Sequence, residues 1–272
     1  MDILNYNKVK EWIKTGRKKV GLALGGGAAR GIAHVGVLKQ LSHYNIPIDF
    51  IAGTSAGAIA GAFYAAGMDM DELVKIANKL TWKNFARFKL SRKSMVSSKP
   101  VQELLEKHLG QIKFKDLKMP FWVLGTDILT GEGVYLNDPE LSVALAARAS
   151  SSFPGIYEPT DVNGRYIFDG GAAFNLPCPV VREMGADIVI GVDVIPKIKL
   201  KTLPHNIGTL VDRGLDILLN GVSKYVYPQG DLILTPVKER VTSFNVKRGD
   251  KLVQMGIKAV DENIDQIKAL LQ

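Results

Sequence analysis

Two kinds of run alternate along this chain. Short apolar stretches predict strands at Val20 to Leu24, Ile48 to Ala52, Phe121 to Thr126 and Ile188 to Val194. Shorter ones follow at Gly133 to Leu136, Tyr166 to Phe168 and Leu232 to Leu234. Between them, apolar residues recur at helical spacing. Ile32 to Tyr44 places Val35, Leu38 and Leu41 on one side. Further helices are expected over Ser55 to Ala66, Met70 to Leu80, Val101 to Leu109, Leu141 to Ser150 and Ile207 to Val222. Val180 to Met184 reads as a helix end. Asp69 and Asp71 mark one helix start, and a long C-terminal helix is expected over Asp250 to Leu271. Strands alternating with helices predict an α/β fold with a largely parallel sheet. No repeat, low-complexity tract or domain boundary interrupts the pattern, so one domain over residues 1–272 is expected.

The junctions carry the candidate chemistry. Gly53-Thr54-Ser55-Ala56-Gly57 lies between a predicted strand and a predicted helix. That is the setting in which G-x-S-x-G presents an exposed serine at a helix N-terminus, where unpaired N–H groups favour negative charge. A plain turn is the simpler alternative. Gly25 to Gly31, with Gly26, Gly27, Ala28, Ala29 and Arg30 inside, is a second such junction. Its small residues let backbone N–H groups converge on one point, which beside a nucleophile would be an oxyanion hole. Arg30 would orient the loop or help to hold an anion.

A dinucleotide site fits less well. The glycines at 25, 27 and 31 are spaced G-x-G-x-x-x-G, and the second strand has no acid at its C-terminal end. Asp169-Gly170-Gly171 follows the strand Tyr166 to Phe168. Alone it reads as an Asp-Gly turn, but a partly desolvated carboxylate there could act as base to a serine. Among the four histidines, only His205 follows Asp169 in the order of a hydrolase triad. His34 is expected to pack or bond locally. A Ser–Asp dyad fits better than a triad, with His205 left open.

Composition narrows the setting. Net charge is +8 with pI about 9.4, which favours anionic partners such as phospholipid surfaces. There is no zinc-ligand spacing and no recognisable nucleic-acid module. The lone Cys178 excludes an internal disulfide framework and suggests a reducing, cytoplasmic setting. No apolar run approaches the roughly 20 residues that span a bilayer. The opening segment lacks a signal-peptide core and predicts a short helix packed through Ile3, Val9, Trp12 and Ile13. Residues 81–99 stand apart, with six basic residues and no acid. There Trp82, Phe85 and Phe88 alternate with Lys83, Arg87, Lys89, Arg92 and Lys93. Two readings follow: core aromatics with solvated cations, or peripheral contact with an anionic membrane.

Taken together and in order, the glycine loop with Arg30-Gly31, then G-T-S-A-G, then D-G-G resemble the patatin-like phospholipase family. The runs LALGGGAARGIAHVGVLKQL and ARASSSFPGIYEP extend the likeness over residues 19–195. The nearest branch is similar to bacterial members and to the catalytic domain of neuropathy target esterase. The resemblance implies a three-layer α/β/α fold and an ester hydrolase acting on phospholipid or lysophospholipid without a metal or cofactor. It implies Ser55 as nucleophile, Asp169 as base and an oxyanion hole around Gly26, Gly27 and Ala28. Gly31, Gly53, Gly57, Gly170 and Gly171 would support these. The family loop usually reads G-G-G-x-R-G, and Ala28 replaces its third glycine. Because alanine disfavours positive φ, a negative φ is expected there. A catalytically silent regulatory or scaffold member of the same fold is the alternative.

Overall fold

The computed structural model describes residues 16–88, 96–243 and 246–272. The N-terminal helix expected from Ile3, Val9, Trp12 and Ile13 lies outside them, as do Lys89, Arg92 and Lys93. The strands are β1 (Val20–Leu24), β2 (Phe50–Thr54), β3 (Arg87–Phe88), β4 (Val96–Ser97), β5 (Phe121–Asp127), β6 (Gly133–Leu136), β7 (Thr160–Val162), β8 (Arg165–Asp169), β9 (Ile188–Val192) and β10 (Leu232–Leu234). The helices are α1 (Ile32–His43), α2 (Ala56–Ala65), α3 (Met70–Asn78), α4 (Lys99–Leu109), α5 (Val143–Ser150), α6 (Cys178–Glu183), α7 (Ile207–Lys224), α8 (Gly249–Asp261) and α9 (Ile264–Leu271).

Eight strands form one sheet in the order β10-β9-β1-β2-β5-β8-β7, with β6 also paired to β5. Pairings from β10 through β5 are parallel, and those of β6, β7 and β8 are antiparallel. The central strands are buried along their whole length because both faces are covered. Leu22, Leu24, Ile51 and Val123 face the core shared with α1, α2, α5 and α8. Ala23, Phe50, Ala52 and Leu124 face the smaller core that holds Cys178 and Val181 of α6. Each large side chain so buried contributes about 1.5–3 kcal/mol. The result is a mostly parallel sheet between helices, as the alternation of runs predicts. Cys178 packs as a small hydrophobe, and burial pushes its thiol up to about 12.

Two elements differ from expectation. The predicted C-terminal helix is two helices, α8 and α9, with Glu262 and Asn263 between them. The Asn263 side chain donates to Ala259 O at 2.8 Å, so it competes with the backbone ladder and ends the run. Strand β7, absent from the sequence pattern, pairs with β8 across Asn163-Gly164. Both turn residues have positive φ, at 53° and 83°. This is the Asn-Gly hairpin signature, a signal the sequence did contain.

Candidate active site

The carboxyl ends of β1, β2 and β9 open on one side of the sheet, where open α/β folds bind ligands. The loop after β1, residues 25–31, and the turn after β2 meet there. Ser55 leads from β2 into α2 with φ 52° and ψ −118°. For a non-glycine residue this is a strained conformation costing on the order of 1–3 kcal/mol. The surroundings enforce it. The Ser55 N–H donates to the buried Ser150 Oγ at 2.8 Å, and Ser55 O accepts from the N–H groups of Ala58 and Ile59. Gly53 is the next-to-last residue of β2. Gly57 lies so close to β1 that a Cβ would strike Leu24 O, and a Cβ at Gly31 would strike Ala56. The two junctions therefore pack directly against each other.

Register brings Asp169 to this point. Thr54 pairs with Leu124, and the next residue of β5, Gly125, pairs with Asp169. Asp169 thus stands two strands from the serine at the same height. Its carboxylate is buried beside the Ser55 hydroxyl and accepts from Gly171 N–H at 2.8 Å. Burial pushes its pKa up to about 6, against the lowering effect of the Ser55 and Gly171 hydrogen bonds. Gly170 opens the turn that follows, pressed against Leu124 O. Tyr157 lines the same cleft, and its hydroxyl is pushed up to about 12 by burial and then by the Asp169 charge.

The glycine loop departs from expectation twice. Ala28 has φ 50°, not a negative φ. It follows Gly27 and opens a short 3-10 turn whose Ala29 N–H is bound to Ser243 O, and this anchoring imposes the left-handed step. Second, the Gly26 N–H already donates to Asn175 O at 3.1 Å. Among the described residues, the Gly27 and Ala28 N–H groups have no protein acceptor, so the donors available to an oxyanion are those two.

Arg30 is not in the cleft. It is buried, with Nε donating to Val241 O at 2.6 Å, Nη1 to Asp216 at 2.6 Å and Nη2 to Asp212 at 3.3 Å. It locks α7 against the loop, and its charge is consumed by two carboxylates. His34 is also buried, with Nε2 donating to Gly25 O at 2.7 Å; burial holds its pKa at about 4, so the ring is neutral. His205 is exposed in the connection before α7. No histidine lines the cleft among the described residues.

The cleft above Ser55 has a volume of about 440 Å³. Its floor is Gly27, Ala28, Ser55, Asp169 and Asn175. One set of lining residues is Trp82, Phe85, Val101, Phe153 and Ile156; another is Ile195, Leu215, Leu219 and Val246. The aromatics of residues 81–99 are therefore divided. Phe85 packs inward, Trp82 borders the cleft, and Phe88 is 80% exposed. The segment's described residues form a short 3-10 turn over Trp82–Asn84 and the two-residue strands β3 and β4, paired antiparallel.

Sequence reasoning missed Ser150, Asn175, Asp212 and Asp216. The last pair was visible as two acids four residues apart in a predicted helix, which places both on one side. Ser150 and Asn175 had no such signal.

This fold and this turn define an α/β protein that presents a strained serine at a strand-to-helix junction beside a buried carboxylate. More narrowly, residues 22–182 match the family described as Patatin-like phospholipase, and the chain belongs to that family. An uncharacterised NTE family protein of Mycobacterium tuberculosis is 34% identical over 179 residues, covering 65% of this chain and 49% of that protein. The lysophospholipase nte1 of Aspergillus terreus is 34% identical over 183 residues, covering 65% of this chain and 12% of that protein. The chain thus spans half or less of the length of these relatives. VipD from Legionella pneumophila shares the fold, with a TM-score of 0.55 and 15% identity over 92% of this chain and 67% of its own. Among the described residues, no helix is long and apolar enough to cross a membrane.

Proposed function

We propose that this chain is a serine acyl hydrolase that cleaves fatty-acyl esters of phospholipids or lysophospholipids through a Ser55–Asp169 dyad. The observation that carries the reading is Ser55, on a strained backbone, beside a buried carboxylate of raised pKa at the floor of an apolar cleft. In this mechanism Asp169 takes the Ser55 proton as Oγ attacks the acyl carbonyl. The oxyanion forms toward the Gly27 and Ala28 N–H groups. Asp169 returns the proton to the leaving alcohol and then activates the water that releases the fatty acid. An acid with a pKa near 6 is mostly ionised at neutral pH and basic enough for the task.

The apolar linings suit an acyl chain, and the fungal relative's name, lysophospholipase, supports the substrate class. The absence of a histidine from the described lining favours a dyad over a triad. The test is labelling by a fluorophosphonate probe, followed by a panel of diacyl and lysophospholipids. Labelling of the wild type that is lost in Ser55→Ala and weakened in Asp169→Asn supports the mechanism. A folded wild type that neither labels nor releases fatty acid overturns it and favours a catalytically silent member of the family.

A further inference from the structure

We propose that the open side of α7, with the basic segment leading into it, docks the protein on an anionic phospholipid bilayer. This rests on the acyl-hydrolase reading, because docking would serve to bring lipid to the cleft.

Helical spacing divides α7 into sides with different fates. Ile207, Val211, Leu218 and Tyr225 recur at intervals of four and seven residues and share one side. Each is more than half exposed, as are Leu203 and Ile217 nearby. Among the other large apolar side chains described, only Phe88 and Leu129 are as open. Clustered exposure of this kind marks a surface that meets a partner. Asp212 and Asp216 project the opposite way and hold Arg30. Between these two sides, Leu215 and Leu219 line the cleft that contains Ser55. One helix is thus anchored on one side, borders the substrate space on the next and is uncovered on the third. A lipid leaving a bilayer held against the open side has one helix edge to cross.

Charge selects the occupant. Residues 196–225 hold Lys197, Lys199, Lys201, Arg213 and Lys224. Their only acids, Asp212 and Asp216, are buried on Arg30. The exposed charge of this segment is therefore cationic. Two copies meeting through this face would crowd like charges together, which opposes self-association. An anionic bilayer satisfies both components: apolar side chains enter the headgroup boundary and lysines meet lipid phosphates. Trp82, Lys83 and Phe88 repeat the composition on a smaller scale beside another part of the cleft lining. The principal contact thus shifts from residues 81–99, where the sequence suggested it, to α7.

The test is cosedimentation of the full chain with phosphatidylcholine vesicles, with and without phosphatidylglycerol. Wild type is compared with Ile207→Glu/Leu218→Glu and with Lys199→Glu/Lys201→Glu. Hydrolysis of a water-soluble short-chain ester reports the fold and the site. The expected result is binding that depends on phosphatidylglycerol and weakens about tenfold or more in each double variant. Short-chain ester hydrolysis stays at wild-type rates, while hydrolysis of vesicle lipid falls. The proposal is overturned if wild type does not bind, or if both double variants bind like wild type. It is also overturned if binding is lost on deleting residues 1–15 but survives the α7 substitutions, since the contact then belongs to that segment. A dimer dissolved by Ile207→Glu/Leu218→Glu, with vesicle binding unchanged, would assign the face to a second copy and overturn it too. If wild type binds through α7 yet hydrolyses no ester, the docking surface is supported and the hydrolase reading fails.

Discussion

The floor of the cleft is made mainly of backbone, whereas its α7 wall is made of side chains. At the floor, Ser55 and Ala28 hold positive φ, Gly57 lies against Leu24 O, and Gly27 and Ala28 present N–H groups. Few residue types are compatible with such positions. At the wall, Leu215 and Leu219 supply apolar surface that another aliphatic residue could also supply. What fixes the wall in place lies outside the cleft lining: the buried Arg30 fork on Asp212 and Asp216. Precision at the floor is local, and precision at the wall comes through one ionic anchor reaching back to the glycine loop.

Substitutions can break this contrast in graded steps. The largest effect is expected from Ser55→Ala, which should lower ester turnover by on the order of 10³-fold or more with the melting temperature nearly unchanged. A steady-state assay beside a thermal melt checks both. Next comes Arg30→Leu. It leaves two buried carboxylates without their cation and should cost about 3–5 kcal/mol in denaturant unfolding, although Arg30 never touches the cleft.

Asp169→Asn should separate function from stability. Activity should fall by about 10²–10⁴-fold through loss of the base. The sign for stability is opposite. The folded pKa is raised by burial, so the native state binds the proton more tightly than the unfolded chain. The stability this confers is complete below about pH 4 and is lost as pH rises through about 6. At pH 8 the neutral asparagine should therefore be more stable than wild type by on the order of 2–3 kcal/mol, with the gap closing by about pH 4. The same group predicts that wild-type kcat/KM falls on acidification through about pH 6 and levels off above it.

The wall predicts a milder outcome. Leu219→Ala should raise KM for long-chain esters several-fold and leave short-chain esters nearly unaffected, as measured across a chain-length series. Equal losses for both would assign Leu219 to the floor's work and erase the contrast. Smallest is Ala28→Gly, which relieves a left-handed alanine and should add about 0.5–1 kcal/mol to stability, read from the midpoint of chemical unfolding.

The two regions also differ in how far they could be read in advance. Ser55, Asp169 and the loop at 25–31 sit in short motifs whose residue types are dictated by local geometry. Their meeting place was therefore legible from three segments far apart in the chain. Even there, two details escaped. The φ of Ala28 depends on Ser243 holding Ala29, and the engagement of the Gly26 N–H depends on Asn175 O. Neither is a property of the loop. On the far side, α7 was legible as a helix, but nothing in its pattern alone said that its acids would face Arg30 or its leucines the cleft.

By itself, then, the sequence determined the alternation of strands and helices, the strand–turn–helix setting of Ser55 and the fold family. These follow from periodicity and from backbone demands that act within a few residues. Tertiary structure decided which N–H groups of the glycine loop stay unpaired, that Arg30 is an anchor, that Asp169 is buried with its pKa raised, and which side of α7 is left open. Each of these depends on groups brought together across the sheet, and burial and hydrogen-bond competition have no value until the chain has folded.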